Sequence, residues 1–276
     1  MESKIKTADG TETFLNEEYN EAYHSTKAGA YTESLLKFVI PCRIDSLSLE
    51  KNRIDILDVG FGLGYNVAVA IKVATDKNPD VLVEILSVEK DISVFEKIKK
   101  LNIPEDLKEI YDHILSGGFE GNIYRAKGKN FSLNILFGDA RQILKTVRKK
   151  FDAVFYDAFS PKVNTEMWTV EIFKAVKELM RQEAILSTYS ASLAVRKGLI
   201  DAGFKIGLVE PIGRKSYSTV ATIKGIIPPL TQKEKNRLEH SPYAVPFRDS
   251  KNMDLPPYVI KKNWESIVEK NLLTKF

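Results

Sequence analysis

The chain has 276 residues, of which 43% are hydrophobic and 28% are charged. This length suits one α/β domain with additions or two small domains, and the composition is that of a soluble globular protein. The formal net charge is +4, from 41 basic and 37 acidic residues. So small a charge does not by itself indicate a polyanionic partner, and no apolar run approaches the roughly 20 residues that cross a bilayer.

The scarcity of cysteine and histidine narrows the possible chemistry. A single cysteine, Cys42, excludes an internal disulfide and a cysteine-built metal site. The three histidines lie far apart in sequence, so their spacing predicts no metal site. The N-terminus lacks the apolar stretch of a signal peptide, which predicts a cytoplasmic protein without membrane contact.

Taken in chain order, the first fifty residues predict a short hairpin and then an amphipathic helix near 28–38. From residue 51 onward, strands and helices alternate as in a parallel sheet with helical crossovers. The predicted strands are 54–59, 81–88, 133–137, 151–156 and 184–189. The predicted helices are 64–75, 92–100, 140–149, 168–181 and 193–202. Residues 103–130 are predicted to be an insertion that is helical at first and then forms a loop around 117–129.

Two further strands, 204–210 and 216–224, are joined too closely for a parallel return, so they are predicted to be antiparallel. A mostly parallel sheet with a terminal antiparallel strand is typical of the α/β class I methyltransferase fold, which is Rossmann-like. We therefore expect an N-terminal extension (1–50) packing on the cofactor site, a class I domain (51–228) and a C-terminal tail (229–276). The tail is predicted to carry one helix at 262–272.

A glycine-rich turn follows the first strand of this domain and opens a helix. Its sequence is Asp58-Val-Gly60-Phe-Gly62-Leu-Gly64-Tyr-Asn66. A side chain at Gly60 or Gly62 would block a ligand that approaches the backbone closely. The spacing is G-x-G-x-G, whereas the dinucleotide fingerprint is G-x-G-x-x-G. With Asp58 placed to hold an ammonium group directly or through water, this turn favours S-adenosylmethionine over a packing role alone.

Two more strands end in acidic residues. Glu89 follows the second strand, where a carboxylate can accept both ribose hydroxyls, although an isolated glutamate there can also simply face solvent. Gly138 and Asp139 end the third strand. Asp139 can cap the next helix, accept the adenine amino group, or do both.

The segment from Phe151 to Pro161 places an acid, an aromatic and a proline turn at the end of a buried strand. Asp157 would then lie at the carboxyl edge of the sheet, next to the sulfonium. A carboxylate there can orient an attacking amine and accept its proton, while Phe159 can stack on a flat substrate. The alternatives are that Asp157 only caps the turn and that Phe159 belongs to the core.

Together these motifs resemble the methyltransferase half of the bifunctional tRNA wobble-uridine modification enzymes called MnmC. The resemblance covers roughly residues 5–225. The matching motifs are Tyr23-His-Ser25 with Gly29 and Glu33-Ser34, Gly60-Phe-Gly-Leu-Gly64-Tyr-Asn66, Ser87-Val-Glu-Lys90, Phe137-Gly-Asp139, Asp157-Ala-Phe-Ser-Pro161, Asn164, Met167-Trp168, Ser187-Thr-Tyr-Ser190, Val195-Arg-Lys-Gly198, Ala202-Gly-Phe204 and Gly213-Arg-Lys215.

The resemblance implies an S-adenosylmethionine-dependent methyltransferase that acts on the amine of 5-aminomethyl-(2-thio)uridine in the anticodon stem-loop of tRNA. It implies that Asp157 is the catalytic acidic residue on the substrate side of the site. The cofactor residues predicted from the motifs and the resemblance are Tyr23, Glu33, Asp58, Gly60, Gly62, Gly64, Asn66, Glu89, Lys90, Gly138, Asp139 and Asp157. The predicted substrate residues are Phe159, Pro161, Arg214 and Lys215, and no metal is predicted.

The chain departs from the family pattern in the substrate loop, at Ala158, Val163 and Thr165, where the family usually has glycine, lysine and proline. It also has no second nucleotide fingerprint and no room for a flavin oxidase domain. The resemblance therefore predicts a monofunctional form, which uses aminomethyl-uridine supplied by other enzymes.

Three other classes of function remain open at this point. A polyamine aminopropyltransferase shares the sheet, but usually carries a GGGDG-type loop and a second aspartate where this chain has Ser160. The others are a methyltransferase with a small-molecule or protein acceptor, and a non-catalytic RNA-binding module. Basic clusters at 141–150, 196–197, 214–215 and 261–262 are either solvated helix faces or, if several share one face, a footprint for phosphates.

Overall fold

The computed structural model describes residues 4–274. Its strands are β1 (Lys4–Lys6), β2 (Glu12–Asn16), β3 (Glu21–Ala22), β4 (Arg53–Val59), β5 (Leu82–Glu89), β6 (Gly118–Glu120), β7 (Ile123–Lys127), β8 (Phe131–Phe137), β9 (Phe151–Tyr156), β10 (Met180–Thr188), β11 (Lys205–Val209) and β12 (Ser218–Thr222). Its α-helices are α1 (Ala30–Ser34), α2 (Ile44–Glu50), α3 (Tyr65–Lys77), α4 (Val94–Ile98), α5 (Lys108–Leu115), α6 (Ala140–Thr146), α7 (Val170–Glu178), α8 (Leu193–Asp201), α9 (Gln232–His240) and α10 (Pro257–Leu273).

A nine-stranded sheet forms the centre of the molecule, in the order β11-β12-β10-β9-β4-β5-β8-β7-β6. The five strands β10, β9, β4, β5 and β8 run parallel, and β12 is antiparallel to both of its neighbours. The predicted architecture, a mostly parallel α/β sheet with an antiparallel strand late in the chain, is confirmed. The carboxyl ends of β4, β5, β8 and β9 therefore meet at one edge of the sheet, which is where ligands bind in folds of this kind.

The predicted loop at 117–129 is wrong, because this segment forms the antiparallel strands β6 and β7 and extends the sheet beyond β8. Tyr124 and Ala126 are buried whereas Arg125 and Lys127 are exposed, which is the period-2 alternation of a strand with one buried face. Glu120 pairs with Ile123 across a two-residue turn, in which Gly121 has a φ of 63°. The Gly-Asn turn and the alternation were the sequence signals for this hairpin.

Two predicted helix ends are also wrong. The helix predicted at 168–181 ends at Glu178, and Met180 and Arg181 already belong to β10. Arg181 contacts the carboxylates of Asp55 and Asp152, at the amino-terminal edge of the sheet. The helix predicted at 140–149 ends at Thr146, where the β-branched pair Thr146–Val147 lowers helix propensity.

The N-terminal region is a three-stranded antiparallel sheet, β1-β2-β3, followed by α1. The helix predicted near 28–38 begins at Ala30 and continues from Leu35 to Val39 as a π-helix. The helix α2 had no counterpart in the sequence prediction. Apolar side chains of α1 and the π-helix pack onto the main core, so this region is joined to the central domain rather than separate from it.

The tail after residue 228 contains two helices rather than the single one predicted at 262–272. α10 begins five residues earlier than predicted, at Pro257, and α9 was not predicted. Ile260 and Val268 of α10 are buried, and the Trp264 ring lies 5.1 Å from that of Phe247. One face of α10 is therefore buried against its surroundings. Within residues 4–274, no helix combines the length and apolarity needed to span a bilayer.

A buried ion pair connects α9 to the domain. Arg196 of α8 is 1% exposed, and its guanidinium pairs with the Glu234 carboxylate and donates to the Thr219 hydroxyl and the Tyr217 carbonyl. Burial lowers the pKa of Arg196, whereas Glu234 raises it. Arg237 contacts the same carboxylate from the surface.

Replacing Glu234 with alanine would leave the Arg196 guanidinium buried without a carboxylate. We expect Glu234→Ala to lower the free energy of unfolding by about 3–5 kcal/mol. The control is Arg237→Ala, which removes the exposed partner and should cost at most about 1 kcal/mol. Urea unfolding of both variants tests this, and equal losses would show that the buried pair does not hold α9 in place.

Candidate active site

The carboxyl ends of the parallel strands form one wall of a cavity of about 750 Å³. This volume lies within the range of small-molecule sites. The other walls come from the N-terminal sheet, from the turn around Gly213, and from Pro257 at the start of α10. Segments far apart in the sequence therefore enclose one site.

The glycine turn after β4 lines the floor of this cavity. Gly60 has a φ of 97°, and a Cβ atom there would lie 2.7 Å from the Asp157 carbonyl oxygen. Any side chain would thus push β4 and β9 apart at the edge where the ligand would lie. Gly64 also has a positive φ, of 81°, but it lies at the start of α3 and outside the cavity wall.

Glu89, at the end of β5, binds the backbone of the glycine turn through its carboxylate. Its carboxylate accepts hydrogen bonds from the backbone N–H groups of Gly62, at 2.8 Å, and of Lys90 and Asp91, at 2.7 and 2.9 Å. Burial raises the pKa of Glu89, and the three N–H donors oppose this shift. Neutral donors orient this carboxylate but leave its charge without a cation.

Asp58 lies behind the cavity wall rather than on it, so the structure does not place it for direct contact with a ligand. It is fully buried, one carboxylate oxygen accepts a hydrogen bond from the Ser87 hydroxyl, and the other has no partner. Burial raises the pKa of Asp58 to about 8, and the nearby Glu89 contributes to this rise. A cation in the cavity would relieve this shift, because the opposite charge favours the ionised carboxylate.

Asp157 lies on the cavity wall at the end of β9, and Asn66 holds its side chain. The Asn66 amide donates to one Asp157 oxygen at 2.7 Å, and its own carbonyl oxygen is buried without a partner. Burial raises the pKa of Asp157 well above its ordinary value, and the charges of Glu33 and Asp58 add to this. The carboxylate is therefore oriented and has a raised affinity for a proton.

A second acid lies near Asp157, on the N-terminal side of the cavity. Glu33 is buried, pairs with Lys37 at 2.6 Å and accepts the Ser25 backbone N–H at 2.7 Å. His24 beside it is 6% exposed, and neither ring nitrogen has a hydrogen-bond partner. Burial lowers the pKa of His24, which favours the neutral ring, although the nearby Glu33 opposes this shift.

Three aromatic rings form a cluster on the cavity wall. The Phe159 ring centroid lies 4.6 Å from that of Tyr19 and 5.3 Å from that of Tyr23. All three residues line the cavity, so Phe159 is not simply part of the core. Trp168, in contrast, is fully buried and donates its indole N–H to the Phe159 carbonyl, which fixes the turn from below.

At the far end of the cavity, Asp139 caps α6 by accepting the Arg141 backbone N–H at 2.9 Å. The Arg141 guanidinium also binds both Asp139 oxygens. Glu166 lies nearby, with one oxygen bonded to Asn164 and the other buried without a partner. Burial raises the pKa of Glu166. Both carboxylates remain candidates for an acceptor facing a ligand amino group.

The structure brings most of the predicted site residues together. The predicted residues that line the cavity are Tyr23, Glu33, Gly60, Gly62, Glu89, Lys90, Gly138, Asp139, Asp157, Phe159 and Arg214. Those outside its lining are Asp58, Gly64, Asn66, Pro161 and Lys215. Asn66 does not line the cavity but donates a hydrogen bond to Asp157. Pro161 belongs to the turn that follows Asp157. The Lys90 ammonium reaches Glu18 at 2.6 Å, so it pairs with the N-terminal loop.

Several residues at the cavity did not emerge from the sequence. The clearest are Tyr19, His24, Lys37, Glu166 and Tyr189. The sequence signals were that His24 and Tyr189 stand in motifs of the family resemblance, and that Glu33 and Lys37 are four residues apart, which brings two side chains together on a helix. Two charged residues in an otherwise apolar helix can be a buried ion pair of the core or part of a binding site. Only the fold shows that Glu33 and Lys37 lie close enough to Asp157 for their charges to act on it.

Comparison with known proteins places this geometry in a family. The family profile described as S-adenosyl-L-methionine-dependent methyltransferase matches residues 104–224. The crystal structure of MnmC2 from Aquifex aeolicus is 43% identical, with a TM-score of 0.89, and the match covers 98% of this chain and 86% of that one. An uncharacterised protein of Methanocaldococcus jannaschii is 32% identical over 89% of this chain and 67% of its own length.

The bifunctional proteins are much longer than this chain. The tRNA 5-methylaminomethyl-2-thiouridine biosynthesis bifunctional protein MnmC of Campylobacter hominis is 34% identical over 69% of this chain, but the match spans only 28% of that protein. Its counterpart in Campylobacter concisus is 28% identical over 76% of this chain and 34% of its own length. The chain belongs to the MnmC2 family of S-adenosyl-L-methionine-dependent methyltransferases.

Proposed function

We propose that this methyltransferase moves a methyl group from S-adenosylmethionine to the amine of 5-aminomethyl-(2-thio)uridine at the wobble position of tRNA, in the cytoplasm. The product would be 5-methylaminomethyl-(2-thio)uridine, and the bifunctional relatives are named after the 2-thiouridine form of this nucleoside. The single observation that carries the proposal is Asp157, oriented by Asn66 in a cavity that a cluster of aromatic rings also lines.

The residues around the cavity fit S-adenosylmethionine. The glycine turn leaves room for a close backbone approach, and buried oxygens of Asp58 and Glu166 have no partner in the protein. Glu89 ends the strand where a carboxylate can accept ribose hydroxyls. When bound, the cofactor supplies a methyl group already activated by its positively charged sulfur. Asp58, Glu89 and Asp157 have no salt bridge to a cation within residues 4–274, so they favour such a ligand.

Asp157 would act on the acceptor amine. An alkyl amine is mostly protonated in water and must lose a proton before its lone pair can attack. The Asp157 carboxylate can orient the ammonium, accept the proton and stabilise the positive charge that grows on nitrogen. Its raised pKa makes it a better proton acceptor than an exposed aspartate. Most of the acceleration should come from positioning the two reactants.

The aromatic cluster suits a flat acceptor that has left its stack. The rings of Tyr19, Tyr23 and Phe159 lie together in the cavity that Asp157 also lines, and bases stack on aromatic rings with little dependence on sequence. The modified uridine must leave the anticodon stack to reach the cofactor. Arg214 lines the same side of the cavity, where its guanidinium donates to the Tyr189 carbonyl and to the Ser218 hydroxyl.

The direct test uses purified protein, labelled S-adenosylmethionine and tRNA from cells that lack this activity. We expect label in the tRNA, and mass spectrometry of the nucleosides should identify 5-methylaminomethyl-(2-thio)uridine. Putrescine with the decarboxylated cofactor serves as the control acceptor. No label in tRNA together with aminopropyl transfer to putrescine would replace the proposal with the aminopropyltransferase alternative.

Asp157→Ala should still bind S-adenosylmethionine, though more weakly because one of the three uncompensated carboxylates is lost, and it should turn over about 10²–10⁴ times more slowly at saturating cofactor. Asn66→Ala keeps the carboxylate and removes only its positioning bond, so its loss should be smaller. Single-turnover methyl transfer measures the rates, and calorimetry measures cofactor binding. Wild-type turnover in Asp157→Ala would remove this residue from the mechanism.

Asp58 gives the cofactor-free protein a distinctive pH dependence. Its pKa is about 8 in the fold and 3.8 in a model compound, so between these values the unfolded chain is ionised while the folded chain keeps the proton. Stability therefore falls as pH rises from about 4 to about 8. Asp58→Asn has no such proton, so its melting temperature should rise relative to wild type across this window.

The same substitution should weaken S-adenosylmethionine binding at pH 8, because it removes a negative charge behind the cavity wall. Thermal unfolding without cofactor and calorimetry with it measure the two effects separately. Asp58 would be assigned a purely structural role if Asp58→Asn destabilised the free protein at every pH and bound the cofactor as wild type does.

A further inference from the structure

The first turns of α10 lie beside the mouth of the cavity, and the proposed chemistry does not use them. Pro257, the first residue of the helix, lines the cavity. The Lys261 ammonium donates to the backbone carbonyl of Lys162 at 3.3 Å, and Lys162 directly follows the turn from Asp157 to Pro161. The start of the last helix and the catalytic turn therefore share one rim.

The side chains on this rim are cationic and aromatic. Tyr258, Lys261 and Lys262 are spaced i, i+3 and i+4, so they lie on one face of α10. Tyr258 is 72% exposed, and its ring has no ring contact or hydrogen bond within the described chain. Lys162, Lys261 and Lys262 are exposed, and between residues 4 and 274 none of them forms an ion pair.

This face is fixed rather than loose. On the opposite side of the helix, Ile260 is fully buried and the Trp264 indole donates to the Val245 carbonyl at 2.8 Å. The positive end of the helix dipole also lies at the cavity mouth, where it favours negative charge. An acceptor with phosphates and flat bases could contact the cationic and the aromatic side chains of this face. Because the face is already ordered, binding would not carry the entropic cost of ordering it.

We propose that Lys162, Tyr258, Lys261 and Lys262, here called the α10 rim, bind the RNA acceptor next to the reacting nucleotide. The Tyr258 ring would stack on a neighbouring unpaired base, and the lysines would contact phosphates. Proteins read RNA loops in this way, because bases outside a helix expose their faces. The inference rests on the proposed function, since it needs RNA as the acceptor.

The test separates binding from turnover. Binding is measured by fluorescence anisotropy with a labelled anticodon stem-loop RNA, and turnover by methyl transfer to undermodified tRNA. The variants are Tyr258→Ala, Tyr258→Phe and the double variant Lys261→Glu/Lys262→Glu. The matched control is Lys127→Glu/Lys129→Glu, which makes the same charge change at the amino-terminal edge of the sheet, where Lys127 pairs with Ser132 of β8.

We expect the Lys261/Lys262 variant to weaken RNA binding at least about tenfold. The slope of log affinity against log salt should become shallower, by the amount that corresponds to the loss of about two phosphate contacts. Tyr258→Ala should weaken binding about tenfold, whereas Tyr258→Phe keeps the stacking face and should bind like wild type. The KM for tRNA should rise in parallel, with little change in kcat, cofactor affinity or melting temperature. The control variant should match wild type.

The two proposals fail in different ways. If wild type methylates tRNA and the α10 rim variants bind RNA no worse than the Lys127/Lys129 control, the rim inference is wrong and the proposed function stands. If wild type binds the stem-loop through the α10 rim but transfers no methyl group to tRNA, the proposed function is wrong and the rim remains an RNA-binding surface. If wild type does not bind RNA at all, both are overturned.

Discussion

The site depends on one electrostatic constraint, the burial of several carboxylates at the same edge of the sheet with too few cations to pair them. Asp58, Glu89 and Asp157 lie at the carboxyl ends of neighbouring parallel strands, and their hydrogen-bond donors within residues 4–274 are neutral. A buried carboxylate must either take a proton or meet a positive charge, which is why the pKa of each is raised. A cofactor with a sulfonium and an ammonium group can supply that charge when it binds.

Segments before, within and after the central sheet enclose the cavity at this edge. The loops on either side of β3 contribute Tyr19 and Tyr23, α1 contributes Glu33, and the turn after β9 contributes Asp157 and Phe159. Glu21 of β3 accepts hydrogen bonds from the Ser160 backbone N–H and hydroxyl, so the N-terminal sheet is tied directly to the turn that follows Asp157. The start of α10 completes the rim. Additions before and after the central sheet thus convert an open crevice into an enclosed site.

Strand ends were the most predictable part of the site, because a parallel sheet places all of its carboxyl ends on one edge whatever the loops do. Gly60, Glu89 and Asp157 could be located in this way from the sequence alone. The pairing of Glu33 with Lys37 and the unpartnered nitrogens of His24 could not, since they depend on how the N-terminal segment folds across the sheet. The β6–β7 hairpin was predictable in principle from its alternation and its Gly-Asn turn.

The sequence by itself determined the α/β class, the order of the parallel strands along the chain and the cofactor class, because hydrophobic periodicity and the glycine spacing are local properties. Only the tertiary structure decided that Asp58 lies behind the wall, that Asn66 orients Asp157, and that α10 reaches the mouth of the cavity. These relations join residues that lie far apart along the chain, and only packing brings such residues together. A local sequence pattern does not reveal which side chains from distant segments will pack next to the same buried carboxylate.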